Sequence, residues 1–211
     1  MNETAHLWLF FGLVLGIVVL PGMDMAFVLG SALVGGRRAG LAAVGGLMAG
    51  GACHVAMGVS GVAVALKVFP SAFNAVLLAG ALYVAYVGYG LWRTAEALAV
   101  DPSEGLRSPG ATFRRAALTN LLNPKAYVFM LAVFPQFVRP EYGPMAAQAV
   151  ALGAIVTATQ GAVYGTVACL AAGVRGWMRA HPGANRVLAR GVGAFLMLVA
   201  AATAVEGWRR V

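Results

Sequence analysis

Two charged side chains lie inside otherwise apolar stretches of this sequence. Asp24 is the one carboxylate within an apolar run, and Lys125 is the one lysine placed for burial in such a run. A charge in the hydrocarbon of a membrane is costly unless it is paired or hydrated, and it usually faces a functional cavity. Both residues are therefore candidates for a binding site, and their opposite signs suggest that they pair. The sequence leaves open that Asp24 only caps a helix and that Lys125 extends toward lipid headgroups.

Residues that interrupt helices adjoin both charges. Residues 20–24 are LPGMD and residues 120–125 are NLLNPK. Proline lacks an amide proton and clashes with the preceding turn, so a helix must break or kink at Pro21 and Pro124. Asn123 before Pro124 is a favourable N-cap, and each break creates a helix N-terminus whose free amides suit a carboxylate. The candidate substrate-binding residues are Pro21, Gly22, Asp24, Asn120, Asn123, Pro124 and Lys125, although capping alone also explains the two asparagines.

The composition indicates that membrane-spanning helices carry these residues. The chain has 211 residues, of which 61% are apolar and 10% are charged, whereas a soluble domain carries about a quarter charged residues. One span needs about 20 apolar residues. Six apolar runs occupy residues 7–34, 41–66, 72–92, 116–138, 145–174 and 187–205. We therefore predict an all-α integral membrane protein with six transmembrane helices and no separate soluble domain.

A polar segment divides the chain into two halves of three spans each. We predict one transporter domain over residues 1–211, with a first three-helix repeat at 1–92, a cytoplasmic linker at 93–115 and a second repeat at 116–211. Because each half has an odd number of spans, the second half is inverted relative to the first. The broken helices 1 and 4 then occupy matching positions, which is a sequence indication of a transporter's binding site.

The 15 lysines and arginines predict the orientation. With the N-terminus outside, ten of them fall on the cytoplasmic side and four outside, so both termini are predicted to lie outside. Five full spans plus one re-entrant segment would instead place the C-terminal arginines inside. The ten are Arg37, Arg38, Arg93, Arg107, Arg114, Arg115, Arg175, Arg179, Arg186 and Arg190, and the four are Lys67, Arg139, Arg209 and Arg210. This topology pattern accounts for the net charge of +8, and no basic polar face indicates nucleic acid.

Asp24 and Lys125 are also predicted to lie at the same depth. At about 1.5 Å per residue, Asp24 is roughly 18 Å from the cytoplasmic edge at Gly36, and Lys125 is roughly 15 Å from the edge at Arg115. Both positions are near the middle of a hydrocarbon core about 30 Å thick.

Three motifs occur in register with the six spans. They are PGMD at 21–24 followed by GGRRAGL at 35–41, ALYVAYVG at 81–88, and NLLNPK at 120–125 continuing to FPQF at 134–137. Together they resemble the LysE/RhtB family of bacterial amino-acid exporters, and the likeness extends along the whole chain in order. That family usually has a second proline where this chain has Met23, so the first break depends on Pro21 and Gly22 alone.

The resemblance implies a multi-pass secondary transporter in the bacterial inner membrane. It implies export of a small amino acid or derivative of the homoserine, threonine, lysine or leucine type by proton antiport. We expect the substrate carboxylate at the amides after Pro21 or Pro124 and its ammonium at Asp24. Because protonation of Asp24 removes the ammonium site, this residue is the candidate proton-coupling group. The expected partners are the amino acid, the proton and the lipid bilayer, no cofactor is expected, and a homo-oligomer is left open.

Other classes fit the sequence less well. The chain is not predicted to be an enzyme, because it has no second intramembrane aspartate, no His-Glu-x-x-His motif and no phosphate-binding Gly-x-x-x-x-Gly-Lys motif. A metal-ion exporter of a related family and a non-transporting membrane scaffold subunit remain alternatives, although Asp24 and His54 are few ligands for a metal. For His54, a hydrogen bond to a carbonyl is favoured over proton relay. Gln160 and Tyr164 share one helix face and either line a pathway or join helices.

Overall fold

The described part of the chain is helical throughout. The computed structural model describes residues 3–60, 70–97 and 108–208. These residues form seven α-helices and two short 3-10 turns, which are α1 (Glu3–Val19), α2 (Met23–Val59), α3 (Pro70–Ala97), α4 (Pro109–Leu121), α5 (Pro124–Ala132), the turns Phe134–Gln136 and Pro140–Tyr142, α6 (Met145–Ala180) and α7 (Pro182–Trp208). No strand occurs in these three ranges, in agreement with the predicted all-α class.

Both predicted interruptions are present. α1 ends at Val19 and α2 begins at Met23, whereas α4 ends at Leu121 and α5 begins at Pro124. Proline suits the first position of α5, because the N–H that it lacks would have no partner within the helix there. The first and fourth apolar runs therefore each consist of two successive helices.

The chain reverses direction within α2, at Gly36. This residue has φ 73° and ψ −169°, a left-handed conformation that favours glycine. A Cβ added to Gly40 would lie 2.8 Å from the Cβ of Ala32, although residues eight apart in a straight helix are about 12 Å apart. We therefore treat residues 23–35 as α2a and residues 37–59 as α2b. The connection predicted between the first two apolar runs is reduced to this one glycine.

The polar connection predicted between the last two runs is helical. α6 continues to Ala180 and α7 begins at Pro182, so only His181 separates the two helices, although residues 175–186 lie between the predicted apolar runs. The segment is rich in alanine and arginine, which are strong helix formers. Polarity therefore marks where the apolar face of each helix ends and does not mark where the helix itself ends.

Several predicted features fall outside the described residues. They are the end of the second apolar run at 61–66, the part of the predicted linker at 98–107, and the charges of Lys67, Arg107, Arg209 and Arg210. Of that linker, the structure describes the end of α3 through Ala97 and residues 108–115, which include the first turns of α4.

Apolar side chains cover much of the outside of the helices. In the described ranges, Met23–Val59 and Met145–Val174 are each long and apolar enough to cross a membrane. Large apolar side chains are also exposed on other helices, and they include Trp8, Leu13, Leu82, Tyr86, Leu118 and Leu198. Exposed apolar surface of this kind is typical of a membrane or protein interface. The arrangement as six spans in two repeats remains a prediction.

α2b lies at the centre of the helix assembly. It packs against α4 and α6, whereas α3 packs against α7. One buried core joins α1, α2, α4, α5 and α6. A smaller core joins the start of α2 to α3 and α7 around Met23, Val84 and Leu196. The candidate site lies within the larger core.

Contacts between residue pairs give the relative directions of the helices. The pairs are Gly46 with Phe113, Gly50 with Asn120, Gly40 with Ala168, Gly51 with Gln160, Gly80 with Leu122, Tyr83 with Arg115, Gly88 with Gly193, and Trp92 with Arg190. α4 therefore runs parallel to α2b, α6 runs antiparallel to α2b, and α3 runs antiparallel to α4 and α7. The starts of α2b, α4 and α7 and the ends of α3 and α6 consequently lie at one end of the assembly.

We call this end the basic end, because nearly all of the described arginines lie on it. It carries Arg37, Arg38, Arg93, Arg114, Arg115, Arg175, Arg179, Arg186 and Arg190. Arg139 lies at the opposite end, beyond the last turn of α5. Nine of the ten residues predicted for the cytoplasmic side therefore share one end. That this end faces the cytoplasm remains a prediction.

Candidate functional site

The two helix breaks lie against each other. Lys125, in the first turn of α5, donates hydrogen bonds from Nζ to the carbonyl oxygens of Ile17 at 2.9 Å and Leu20 at 3.0 Å. These carbonyls lie at the end of α1, where carbonyl groups lack partners within the helix. Lys125 therefore caps the broken end of α1. Because the ammonium is held at the break, the side chain does not extend to lipid headgroups.

Asp24 is held by the break between α4 and α5. It lies in the first turn of α2 with 3% of its surface exposed, and Asn120 donates from Nδ2 to its Oδ2 at 2.8 Å. The partial positive charge of the helix start also favours a carboxylate there. The predicted direct pair of Asp24 with Lys125 does not form, because main-chain carbonyls engage the ammonium. A side-chain ion pair does form elsewhere in the described part of the chain, between Arg139 and Glu141 at 3.3 Å.

Asn123 is the N-cap of α5, as predicted. Its Oδ1 accepts a hydrogen bond from the amide of Lys125 at 2.9 Å. Its main-chain carbonyl accepts from the amides of Ala126 at 3.0 Å and Tyr127 at 3.2 Å. Since Pro124 has no N–H, the amides at the start of α5 are already used. The expectation that a carboxylate rests on amides after Pro124 is therefore wrong.

His54 binds a carbonyl, which is the role favoured from the sequence. Its Nε2 lies 3.0 Å from the carbonyl oxygen of Asn120. A carbonyl only accepts, so Nε2 carries the proton, and in the neutral ring Nδ1 is an acceptor. The ring also meets Tyr127 edge-on, with centroids 4.9 Å apart. These contacts fix the ring beside Asn120 and leave Nδ1 unpaired.

A small cavity lies between the two breaks, α2b and α6. Its volume is about 60 Å³, enough for several water molecules at about 10–15 Å³ each. Four of the predicted residues line it, namely Asp24, Asn120, Asn123 and Lys125. Gly51, His54, Gln160 and Tyr164 complete its polar part. The breaks in the two halves of the chain therefore contribute to one site.

The other three predicted residues shape the breaks. Pro21 and Gly22 line a second cavity, of about 710 Å³, between α2 and α7. A Cβ added to Gly22 would lie 3.2 Å from Lys125 Nζ, so the glycine leaves room for the ammonium. Pro124 occupies the start of α5. The structure therefore assigns these residues to the geometry of the chain around the site.

Five buried polar atoms around the first cavity lack a hydrogen-bond partner. They are Asp24 Oδ1, His54 Nδ1, Asn120 Oδ1, Asn123 Nδ2 and Gln160 Oε1. Buried polar groups are nearly always paired, so a cluster of unpaired ones indicates a place for a ligand or water. Four of these atoms are acceptors and the Asn123 amide nitrogen is a donor. Beside the Lys125 ammonium, the site offers acceptors for a cationic group and donors for an anionic one.

Two glycines of α2b allow these side chains to converge. A Cβ added to Gly50 would lie 2.7 Å from Asn120 Oδ1, and one added to Gly51 would lie 2.6 Å from Gln160 Oε1. Neither Gly50 nor Gly51 was predicted as a site residue. The sequence does contain a signal for them, because two adjacent glycines lie in an apolar run and the second is three residues before His54. Which helices they face is set by tertiary packing and is not encoded in that spacing.

Comparison with known proteins gives a consistent result. Residues 15–207 match the family described as LysE type translocator. A homoserine/homoserine lactone efflux protein of Salmonella typhimurium is 31% identical over 181 residues, which cover 86% of this chain and 87% of that protein. A leucine efflux protein of Salmonella choleraesuis is 35% identical over 123 residues, 58% of each chain. No solved structure is significantly similar.

Proposed function

The chain belongs to the family of LysE type translocators, and on that premise we propose that it exports a small amino acid or amino-acid derivative through the bacterial inner membrane. The observation that carries the proposal is the cluster of five unpaired polar atoms around one cavity beside Lys125. Two relatives are named for the efflux of homoserine, homoserine lactone or leucine. A family of translocators also accords with the expectation that the chain is not an enzyme.

The polar groups of the cavity suit the two charged groups of an amino acid, and the cavity, at about 60 Å³, must widen to admit one. An α-ammonium group has three donors, and they match Asp24 Oδ1, Asn120 Oδ1 and Gln160 Oε1. The carboxylate matches the Asn123 amide and the third N–H of Lys125, since two of its three donors are used by carbonyls of α1. The substrate therefore joins the two breaks, and its binding replaces unpaired atoms with hydrogen bonds.

We propose that Asp24 couples export to the proton gradient. The charged carboxylate attracts the substrate ammonium, whereas the protonated carboxyl does not. Proton and substrate then compete for the same group, which is sufficient for antiport when the site faces the two sides of the membrane in turn. The location of Asp24 supports this role, because it is buried and its Oδ1 is unpaired.

We further propose that the chain forms six spans in two inverted repeats, with the basic end in the cytoplasm. The pairing of equivalent elements supports the repeats. The two breaks contact each other through Lys125, the second helices α2b and α6 pack together, and so do the third helices α3 and α7. A pseudo-twofold axis through the cavity would produce such a pattern. The domain boundaries at 92 and 115 belong to this proposal.

The alternative functions have weaker support. In the described ranges, no three His, Cys, Asp or Glu side chains are grouped so that they could hold a metal ion. A scaffold subunit gives no reason for five unpaired polar atoms to surround one cavity. The amino-acid proposal accounts for both the acceptors and the donors of the site.

Transport in inverted membrane vesicles tests the exporter and its coupling. With an acid-inside gradient, vesicles containing the wild-type chain are expected to accumulate labelled L-homoserine or L-leucine. The Asp24→Asn variant is expected to lose about tenfold or more of this accumulation, because a charge-assisted hydrogen bond is lost. Glu141→Gln is the control, since Glu141 is exposed and does not line the cavity.

The possible results separate the two parts of the proposal. Undiminished gradient-driven uptake by Asp24→Asn would exclude its role in coupling and leave the exporter in place. Equal uptake by vesicles with and without the wild-type chain, for every amino acid tried, would exclude the exporter itself.

A further inference from the structure

The cavity changes from polar to apolar within one helical turn. Lys125 is followed by Phe129 on α5, and Gln160 is preceded by Val156 on α6. On α2b, Val55 directly follows His54, and on α1 the lining residues Val14, Ile17 and Val18 are all apolar. We call Val14, Val55, Phe129, Met130, Phe134 and Val156 the apolar wall, and all six line the cavity.

The apolar wall lies on the side of the cavity that faces away from the basic end. Its residues lie beyond the polar groups, toward the end of α2b and the start of α6, and the arginines lie at the other ends of these helices. Phe10 supports the wall from behind and is fully buried, and its ring centroid lies 5.8 Å from that of Phe129 and 6.3 Å from that of Phe134. Aromatic packing of this kind holds Phe129 and Phe134 in place.

Met130 is the flexible part of this wall. It lies directly on the backbone of α2b at Gly58, where an added Cβ would be 2.6 Å from Met130 Sδ and 2.9 Å from Phe134 Cδ1. Methionine is unbranched and adapts its shape to its neighbours. The missing side chain at Gly58 therefore lets the thioether lie against α2b and keeps it out of the cavity.

We infer that the apolar wall is the subsite for the substrate side chain, that it accepts an uncharged aliphatic side chain, and that Met130 seated on Gly58 sets its depth. The inference rests on the proposed function, because it places the α-ammonium and carboxylate at the polar groups. An amino acid held there directs its side chain at the wall. No acceptor or charge in the wall could replace the water lost by a cationic side chain, so lysine-type substrates are excluded.

The test uses purified full-length protein in proteoliposomes and counterflow of labelled L-leucine. The competitors are L-alanine, L-2-aminobutyrate, L-leucine, L-phenylalanine and L-lysine. For the wild type, L-2-aminobutyrate and L-leucine are expected to compete at least about tenfold better than L-lysine. This comparison needs no variant. L-lysine competing as well as L-leucine would overturn the inference about charge.

Two variants test the depth of the subsite in opposite directions. Met130→Ala enlarges it and is expected to improve competition by L-phenylalanine relative to L-alanine by about tenfold. Gly58→Ala pushes Met130 into the cavity and is expected to shift the preference toward L-alanine. Met145→Ala is the matched control, because Met145 is exposed and lies outside the cavity. Met130→Leu keeps the volume and should retain the wild-type order. If Met130→Ala does not fold, Gly58→Ala carries the test, and an unchanged order of sizes for Gly58→Ala would overturn the assignment of Met130.

The outcomes distinguish this inference from the proposed function. A Met130→Ala protein that still transports L-leucine but keeps the wild-type order of sizes would overturn the assignment of Met130. The assignment would also be overturned if Met130→Leu changed the order of sizes as much as is expected for Met130→Ala. Absence of counterflow for every amino acid with the wild type would overturn both the proposed function and this subsite.

Discussion

Asn123 combines a structural and a binding role in one side chain. Its Oδ1 caps α5 by accepting from the amide of Lys125, and its Nδ2 is buried and unpaired at the cavity. A serine at this position would keep a capping oxygen and remove the amide donor. The two roles can therefore be separated by substitution.

We expect Asn123→Ser to retain the stability of the protein and to lose transport. The variant keeps a capping oxygen without adding a buried charge, but it has no amide donor for the substrate carboxylate. Asn123→Ala should lose transport and also about 1 kcal/mol of stability, the usual cost of a lost N-cap. Thermal unfolding in detergent measures the first property, and uptake of labelled L-homoserine measures the second.

Ser108→Ala is the matched control for the cap. Ser108 caps α4 by accepting from the amide of Ala111 at 3.2 Å, and it is exposed and remote from the cavity. Its loss should cost a similar amount of stability without changing transport. Wild-type transport by Asn123→Ser would contradict a binding role for the Asn123 amide.

At the residue scale, the candidate side chains were predictable from their types and their places in apolar runs, but the face that each presents was not. Asp24 and Lys125 stood out as charges in apolar runs, and the structure places both at one cavity. Pro21 and Gly22 were predicted from the same motif but line a different cavity, between α2 and α7. Neighbours in sequence at a helix break point in different directions, and only the packing of α5 and α7 against them decides which residue faces the site.

At the scale of the elements, glycine determines how closely α2b approaches its neighbours. A Cβ at Gly46 would overlap the carbonyl oxygen of Phe113 and lie 2.7 Å from the Cβ of Ala116. α4 therefore packs against the bare backbone of α2b. In this arrangement, the Asn120 side chain one turn further on reaches Asp24.

We expect Gly46→Ala to destabilise the protein by about 1–3 kcal/mol, because the added methyl group forces α4 away from α2b. Gly16→Ala on α1 is the control, since nothing lies within 4 Å of an added Cβ there. This control should be neutral or slightly stabilising, because alanine favours helix more than glycine does. Thermal unfolding in detergent compares the two. Equal stability of both variants would contradict close packing of α2b on α4.

The spacing of glycines along a helix did not predict which helices contact each other. Gly12 and Gly16 have the same four-residue spacing as Gly46 and Gly50, yet an added Cβ at either of the first two meets nothing within 4 Å. The breaks at Pro21 and Pro124 were predictable, because proline acts on its own helix. Helix contacts depend on partners that are far away in the sequence.

At the scale of the whole molecule, nearly all of the described arginines gather at one end of the helix assembly. α2b packs on α6, α3 packs on α7, and the basic end carries the arginines of five helix termini. Charge counting predicted this grouping from the order of the spans alone, because the positive-inside rule depends on alternation and not on packing. The packing of α3 on α7 was not predictable in that way, since it depends on contacts between residues far apart in the sequence.

Labelling of single introduced cysteines tests which end of the helix assembly faces the cytoplasm. Cys53 and Cys169 are exposed, so both are first replaced by alanine. Gly110 lies exposed at the start of α4 on the basic end, and Glu141 lies exposed at the opposite end. In intact cells, a membrane-impermeant maleimide is expected to label Glu141→Cys and to label Gly110→Cys only after the membrane is opened. Because substrate leaves the cytoplasm from the basic end in the proposed orientation, labelling of Gly110→Cys in intact cells would invert the direction of export. The apolar wall would then face the cytoplasm.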